Sequence, residues 1–567
     1  FINYPPIIGI QSFLESYYFK GIGKETTKKL ISCSDENIFE TLALPSNLIA
    51  QKIAIPITNA KILSKTWSQL SSSRALHILL RELGLNHKIS NQVLKNHGNK
   101  IISYLLSDPY QLVGQIPQLS FEIVIKIVKK LRLILPEEYE IAAAMNYCLS
   151  RTEKRNGHTC GPIERAYEDV SNLINTPPKT QNTVLRSMSE KFVFTPIDNK
   201  EYISTYLSHE RDKRISWGIK ALLTRNKETG QKNRIKMKDL SINKSIKFTA
   251  EQETALNLAM MASVILITGG PGTGKTTLVR ALVAAFKKDN RSVTLCAPTG
   301  RAAKRLGETP GLKSFKPTTI HLLLIQLRSK KKAVIDALII DESSMIDVEL
   351  MEQVLEILTP ENSLIMIGDA DQLPPVGPGQ VFKDLLKSNQ IPTVRLSGNF
   401  RQTKGSSIIS MAQSVISGKQ PKIDAEDLKS DFQFIEERDD QKLQQKVINL
   451  YLKILPPLFG PVQSTSIQIL TPQRTHPLGR FALNRLIQNE LWPEKKPIII
   501  TPDEQRLFRG DKVMQKTNDY ELGVMNGDIG TIKKGGKNIT VAINGRDIEY
   551  NEDKVLKWLD FKKTYCF

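Results

Sequence analysis

The chain has 567 residues, 40% hydrophobic and 24% charged, the make-up of a soluble protein with material for about three to five domains. Seventy-nine basic against 58 acidic side chains leave a net charge of +21, which favours a polyanionic partner through counterion release, although a lysine-rich composition supplies part of it. No apolar run reaches about 18 residues, so no membrane-spanning helix is expected, and Cys33, Cys148, Cys160, Cys296 and Cys566 lack C-x-x-C or metal spacing, which fits reduced thiols rather than zinc or a disulfide framework.

Residues 1–135 are helical in pattern. Phe19-Lys-Gly-Ile-Gly-Lys-Glu-Thr-Thr-Lys-Lys-Leu-Ile31 reads as helix, Gly-x-Gly hairpin, helix. The N–H groups of such a hairpin can face a DNA phosphate without reading sequence, so Gly21 and Gly23 are candidates for DNA contact, with a purely structural turn as the alternative. Weaker echoes at 53–67, 79–97 and 112–131 keep the apolar spacing without Gly-x-Gly and read as packing units. From 136 to 247 an α+β connecting domain is expected: a helix over Ile141–Leu149, a polar turn over Arg151–Pro162, two strands within Lys191–Tyr206 and a basic helix and linker from Arg211 to Lys247.

Residues 248–397 carry the strongest signals. Thr249 reads as an N-cap with Glu251 and Gln252 in the first turn, and the Gln252 amide could read adenine, with a helical surface glutamine as the alternative. The apolar run Val264–Ile267 leads into Gly269-Gly-Pro-Gly-Thr-Gly-Lys-Thr276, the pattern G-x-x-x-x-G-K-[ST], and an apolar-periodic helix follows over Leu278–Phe286. Strand, glycine loop, helix is a phosphate cradle. The loop Gly270, Pro271, Gly272, Thr273, Gly274, Lys275, Thr276 and Thr277 closes backbone N–H groups around phosphates at dihedrals and distances a Cβ would obstruct. Lys275 would reach the β- and γ-phosphates and the Thr276 hydroxyl would hold Mg²⁺, so ATP with Mg²⁺ is the expected ligand.

Ser292–Arg305 follows as a buried strand, a turn and a basic helix start, where Thr299, Gly300 and Arg301 suit phosphate contacts to a single strand. Ala337-Leu-Ile-Ile-Asp-Glu-Ser-Ser-Met345 ends a buried strand in adjacent carboxylates, at the end where ligands gather in open α/β sheets. Asp341 would hold Mg²⁺ through water, and Glu342 would orient and deprotonate the attacking water. A strand at Leu364 ends likewise, with Gln372 as a γ-phosphate contact, and Thr393–Leu396 leads to Arg401, a candidate arginine finger. Strands alternating with helices predict a parallel, doubly wound sheet. Residues 398–505 look like a second α/β unit with a strand from Ile467 and a helix over Gly479–Asn489, and residues 506–553 like a small β-barrel of short strands spaced by Gly, Asn and Asp turns.

In order along the chain, Thr268–Thr276, Ala297-Pro-Thr-Gly-Arg-Ala-Ala303, Thr319-Ile-His321, Asp341–Met345, Gly368–Gly377 and Phe400-Arg-Gln402 resemble the motif series of superfamily-1 helicases in the wording of RecD-like enzymes. Asn518-Asp-Tyr520 with Asn526-Gly-Asp-Ile-Gly530 is similar to the SH3-type barrel inserted in their second motor domain. The N-terminal region, with Asp108-Pro-Tyr110 and Gly157-His-Thr159, is similar to the long-N-terminus RecD branch. The resemblance implies two RecA-like domains, the second incomplete and resuming at 554–567, with a short lysine-rich pin segment at about 322–337. It implies ATP-driven 5′→3′ movement on single-stranded DNA and fork DNA in repair or recombination, by a monomer in a bacterial cytoplasm, and places Thr299, Gly300, Arg301 and His321 along the DNA path, a structural role for His321 being the alternative. Family members extend further at both ends, with an H-K-x-Q-G motif downstream, so the chain reads as truncated, and a DNA-binding ATPase remnant without unwinding is the other reading.

Overall fold

The computed structural model describes residues 11–560 except 12, 16–18, 20, 33–37, 70–73, 115, 117–118, 225–247, 330–334, 398–405, 422–429, 462–465, 494–495, 501–505, 520, 536–537 and 552–558. Two compact units are present, residues 1–213 with 377–379, and residues 214–376 with 380–567.

The first unit is built from short helices. In α1 (Lys24–Ser32) the buried Thr27 and Leu30 recur at helical spacing behind the exposed Gly21 and Gly23, and Gly21 takes φ +92°, which a side chain would resist. The long helix α2 (Glu137–Asn156) buries Ile141, Ala144 and Met145 completely. The polar turn expected from Arg151 is a correction: Arg151, Glu153, Lys154 and Arg155 are good helix formers and residues 151–156 continue α2, which stops at Gly157 in the left-handed conformation (φ +72°). The two expected strands form a hairpin, β1 (Phe192–Ile197) and β2 (Lys200–Thr205), closed by Asp198 and Asn199, both at positive φ, the turn whose twist suits antiparallel neighbours.

A helix, α3 (Tyr206–Leu223), takes up the start of the expected basic stretch and carries the chain into the second unit, while 225–247 lies outside the described residues. The N-cap expected at Thr249 is present and forms a full capping box: the Thr249 hydroxyl accepts from the Gln252 N–H and the Gln252 amide accepts from the Thr249 N–H, starting α4 (Ala250–Met261). The sheet behind it comprises β3 (Val264–Gly269), β4 (Val293–Ala297), β5 (Thr318–Thr319), β6 (Ala337–Ile340), β7 (Ser363–Gly368) and β8 (Thr393–Leu396), in the order β5-β4-β6-β7-β3-β8 with every pair parallel. Its central strands β3, β6 and β7 are buried along their whole length and read as apolar runs because both faces are covered. Ile265, Ile267, Ile339, Ile365 and Ile367 face one core with α5 (Lys275–Lys288), and Val264, Leu266, Leu338, Leu364 and Met366 face the other. That is the doubly wound arrangement expected. Of the expected pin segment, residues 322–329 belong to α7 (Ile320–Ser329), which follows α6 (Gly300–Glu308) in the chain, residues 330–334 lie outside the described residues and 335–337 lead into β6.

Beyond residue 405 the expected strand from Ile467 forms no regular strand. Ile467 packs in a small cluster with Tyr451 and Ile487 while Leu470 is 78% exposed, so only one side of the segment is covered, whereas a parallel-sheet strand is buried on both. The helix expected at Gly479 is α8 (Arg480–Leu491). The predicted barrel strands pair antiparallel in one five-stranded sheet, order β12-β11-β10-β9-β13, from β9 (Lys512–Gln515), β10 (Ile529–Lys534), β11 (Asn538–Ile543), β12 (Arg546–Asn551) and β13 (Leu559–Asp560). Gly530 lets β10 approach β11, since a Cβ there would stand 2.5 Å from Ile543 Cγ1.

Two adjacent charged side chains, both fully buried, tie β9 to the preceding helices. Asp511 accepts from Trp492 Nε1 and Gln488 Nε2, each at 2.7 Å. Lys512 Nζ donates to Tyr451 Oη at 3.1 Å and to the Ile467 carbonyl at 3.3 Å, and burial pushes its ammonium down to about 8. The folded state thus favours the neutral amine, while the unfolded chain keeps its proton to about pH 10.4. Unfolding therefore takes up a proton between those values, and stability rises with pH from about 8 to 10 and is insensitive to this group below 8. Thermal melts at pH 7.5 and 9.5 are expected to show the rise in the wild type and its loss in Lys512→Met; an unchanged slope in that variant would refute the assignment.

Candidate nucleotide site

The site stands at the C-terminal ends of β3, β6 and β7. Gly272 (φ +81°) and Gly274 (φ +84°) take the left-handed turns that bring the chain from β3 into α5, whose first residue is Lys275. The loop is held from two sides: Thr273 Oγ1 donates to the Gly270 carbonyl at 2.9 Å, and Gln252 Nε2 donates to the Thr273 carbonyl at 3.4 Å. Gln252 is 2% exposed, so the structure places this amide on its own cap and on the loop. Lys275 Nζ donates to the carbonyls of Gly269 and Gly270 at 2.5 and 2.9 Å, which keeps the ammonium against the loop.

Asp341 follows β6 directly, its N–H donating to the Cys296 carbonyl at 3.0 Å. Burial and the neighbouring Glu342 push its carboxyl up to about 6, against the pull of the Glu342 N–H, Lys275 and Arg305. Glu342 has φ +54°, a conformation that residues with a Cβ enter at a cost and that clusters at functional sites. Its Oε2 is buried without a hydrogen-bond partner among the described residues. An unmet buried carboxylate oxygen is expensive unless a water or ligand meets it. Beyond β7, Gln372 Nε2 donates to Asp369 Oδ2 at 3.4 Å, and the Ala370 N–H donates to Thr268 Oγ1 at 3.2 Å, joining this loop to the end of β3.

Lys275, Thr276, Asp341, Glu342 and Gln372 line one cavity of about 750 Å³, together with the rest of the loop from Pro271 to Thr277. Glycines at left-handed φ, a lysine against the loop carbonyls and an unmet buried carboxylate fit a triphosphate with a divalent cation, for which Thr276 and Asp341 could supply oxygens. Thr299 and Arg301 line the same cavity, Thr299 capping α6 by accepting from the Ala302 N–H at 3.2 Å. Gly300 is buried, His321 is exposed on α7 and is not part of the lining, and Arg401 lies outside the described residues. Gly21 and Gly23 sit on the exposed hairpin of the first unit. Lys304, Arg305, Asp528 and Asn544 also line the cavity and were not singled out by sequence. The basic start of α6 was the available signal for the first two.

A parallel sheet with a glycine loop after one strand and an Asp-Glu pair after another, meeting in one cavity, defines a P-loop nucleotide-binding domain. An AAA domain model matches residues 247–440, an ATP-dependent RecD2 DNA helicase HHH domain matches 70–160, and an ATP-dependent RecD-like DNA helicase SH3 domain matches 483–543. The ATP-dependent RecD2 DNA helicase of Deinococcus radiodurans is 27% identical over 95% of this chain and 75% of its own length. The RecBCD enzyme subunit RecD of Mycobacterium tuberculosis is 28% identical over 52% of this chain and 57% of its own, and that of Buchnera aphidicola subsp. Schizaphis graminum 31% over 44% and 48%. The chain thus spans about half the length of those two RecD subunits. A solved Bacteroides Pif1 bound to ssDNA matches 54% of this chain and 74% of that one at 19% identity, with a TM-score of 0.33. Together these matches support a RecD-like superfamily-1 helicase. The matched HHH region lies C-terminal to Gly21 and Gly23 and runs through α2. No helix among the described residues is long and apolar enough to cross a membrane.

Proposed function

We propose that the chain is the motor of an ATP-driven DNA helicase that moves 5′→3′ along single-stranded DNA and opens forks, as a monomer in a bacterial cytoplasm, in repair or recombination. The observation that carries this reading is the meeting of Lys275, Thr276, Asp341 and the unmet Glu342 carboxylate in one cavity. Lys275 exchanges the Gly269 and Gly270 carbonyls for the β- and γ-phosphates as ATP enters. Glu342 orients the attacking water and accepts its proton. Thr276 and Asp341 would hold Mg²⁺, which when bound offsets the charge that develops on the phosphate oxygens. Gln372 contacts the γ-phosphate and reports its loss, Arg401 stabilises the transferring group, and Gln252 acts on the adenine side through Thr273. Thr299, Gly300, Arg301 and His321 form part of the strand path, and the hairpin at Gly21 and Gly23 contacts backbone phosphates. The names of the Deinococcus and Mycobacterium relatives support the DNA helicase class.

Displacement of streptavidin from end-biotinylated oligo-dT tests both movement and polarity. ATP is expected to clear the block from a 3′ end and leave a 5′ block in place. Clearance of the 5′ block alone reverses the polarity. Hydrolysis indifferent to oligo-dT, with neither block cleared, removes the motor reading.

A further inference from the structure

The barrel closes one end of the phosphate cavity, and it does so on the helix assigned to the DNA strand. Gly300, at the start of α6, has no room for a side chain: a Cβ would stand 2.9 Å from Met525 Cβ and 3.0 Å from Asn518 Oδ1. Asn518 Oδ1 accepts from the Asn526 N–H at 2.8 Å, which fixes the barrel turn that covers Gly300. One helical turn along α6, Lys304 Nζ pairs with Asp528 Oδ2 at 3.4 Å. Asp528 is 5% exposed and the same oxygen accepts from the Met525 N–H at 3.0 Å, so the carboxylate that holds Lys304 also holds the turn. Lys304 and Asp528 line the cavity with the phosphate loop.

A strand phosphate seated at the α6 N-terminus needs the space that Asn518 and Met525 fill. The ammonium holding that cover in place faces the cavity where the negative charge of a triphosphate would arrive. Drawing Lys304 toward phosphate leaves Asp528 buried without its cation, which costs the barrel contact its stability. We infer that the barrel contact made by Asn518 and the turn Met525–Asp528 is a nucleotide-released latch: with Lys304 on Asp528 it closes the strand path at Thr299–Arg301, and a triphosphate in the cavity opens it. The inference rests on the cavity being the nucleotide site. Linkage makes the effect reciprocal, so a strand that displaces the barrel also frees Lys304 for phosphate.

The test is binding of a fluorescent dT oligomer to the full chain, with and without a non-hydrolysable ATP analogue and Mg²⁺. In the wild type the analogue is expected to tighten oligomer binding about tenfold, within the range of ordinary allosteric coupling. Asp528→Asn, which keeps an acceptor for the Met525 N–H, is expected to bind the oligomer that tightly without nucleotide and to gain nothing further from it. Lys304→Gln breaks the same pair from the other side and is expected to do likewise, so the result does not depend on one variant folding. Oligomer affinity within twofold of wild type in both variants, or a wild-type affinity that ignores bound analogue, overturns the latch. Failure of a labelled analogue to bind the wild type would instead remove the nucleotide reading, and the variants' oligomer affinities without nucleotide would still decide whether the barrel closes the path.

Discussion

Replacing Glu342 by Gln is expected to slow ATP hydrolysis by about 10²–10⁴-fold, the usual worth of a positioned general base, while nucleotide binding persists. The amide keeps the shape of the side chain and an oxygen that can accept from water, and it loses the ability to take the proton. Stability is expected to hold or rise, because the side chain's Oε2 is buried without a partner among the described residues and a neutral amide costs less to bury than a carboxylate. A residue kept for packing would behave in the opposite way, since its removal would cost stability and leave the chemistry alone. The measurements are single-turnover hydrolysis, the dissociation constant of a labelled nucleotide and a thermal melt. Wild-type hydrolysis in this variant would end the assignment. Weakened nucleotide binding with a lowered melting temperature would make Glu342 a structural residue.

The parts of this site that sequence made legible are those whose chemistry is local. The loop from Gly269 to Thr276 needs its glycines, lysine and threonine at fixed short spacing, and the left-handed turns at Gly272 and Gly274 are where that spacing demands them. Thr249 was legible as an N-cap because the cap and the first turn it serves are adjacent in the chain. The Asp341–Glu342 pair was legible as polar residues ending an unbroken apolar run, the mark of a strand buried on both faces. Other features depend on what arrives from far along the chain. Nothing near Lys304 points to Asp528, 224 residues away, and nothing near Gly300 tells that a barrel turn covers it. That the Gln252 amide would be engaged by its own cap and by Thr273 is likewise a tertiary fact. At Arg151 the polar composition suggested a turn, but helix propensity and the position of Gly157 decide where α2 ends. The segment from Ile467 has strand-like residues and no regular strand, because strand formation is settled by neighbours and not by the segment alone.

Replacing Lys275 by Ala is expected to lower hydrolysis by about 10²–10³-fold or more, the loss that follows removal of one preorganised donor from developing charge. It should also weaken nucleotide binding by about 10- to 100-fold, since a hydrogen bond to a charged group contributes roughly 1.5–3 kcal/mol. The two effects have separate causes. Binding weakens because a cation is lost from the phosphates already in the ground state, and turnover falls because the same cation meets charge that grows as the γ-phosphate leaves. Lys275→Arg should rescue little, because a planar fork does not replace a compact ammonium held at 2.5 and 2.9 Å from the Gly269 and Gly270 carbonyls. The fold is expected to survive in both variants, since those carbonyls lie beside an open cavity and water can replace the ammonium. Oligo-dT binding without nucleotide should be retained, because Lys275 is not on the proposed strand path. The informative quantity is therefore the pair of results: a chain that still binds oligo-dT but no longer hydrolyses ATP or moves has its motor at this lysine. Unimpaired hydrolysis in Lys275→Ala would mean that the glycine loop is not where ATP is cleaved, and neither the roles given to Asp341 and Glu342 nor the latch on Lys304 would survive that result.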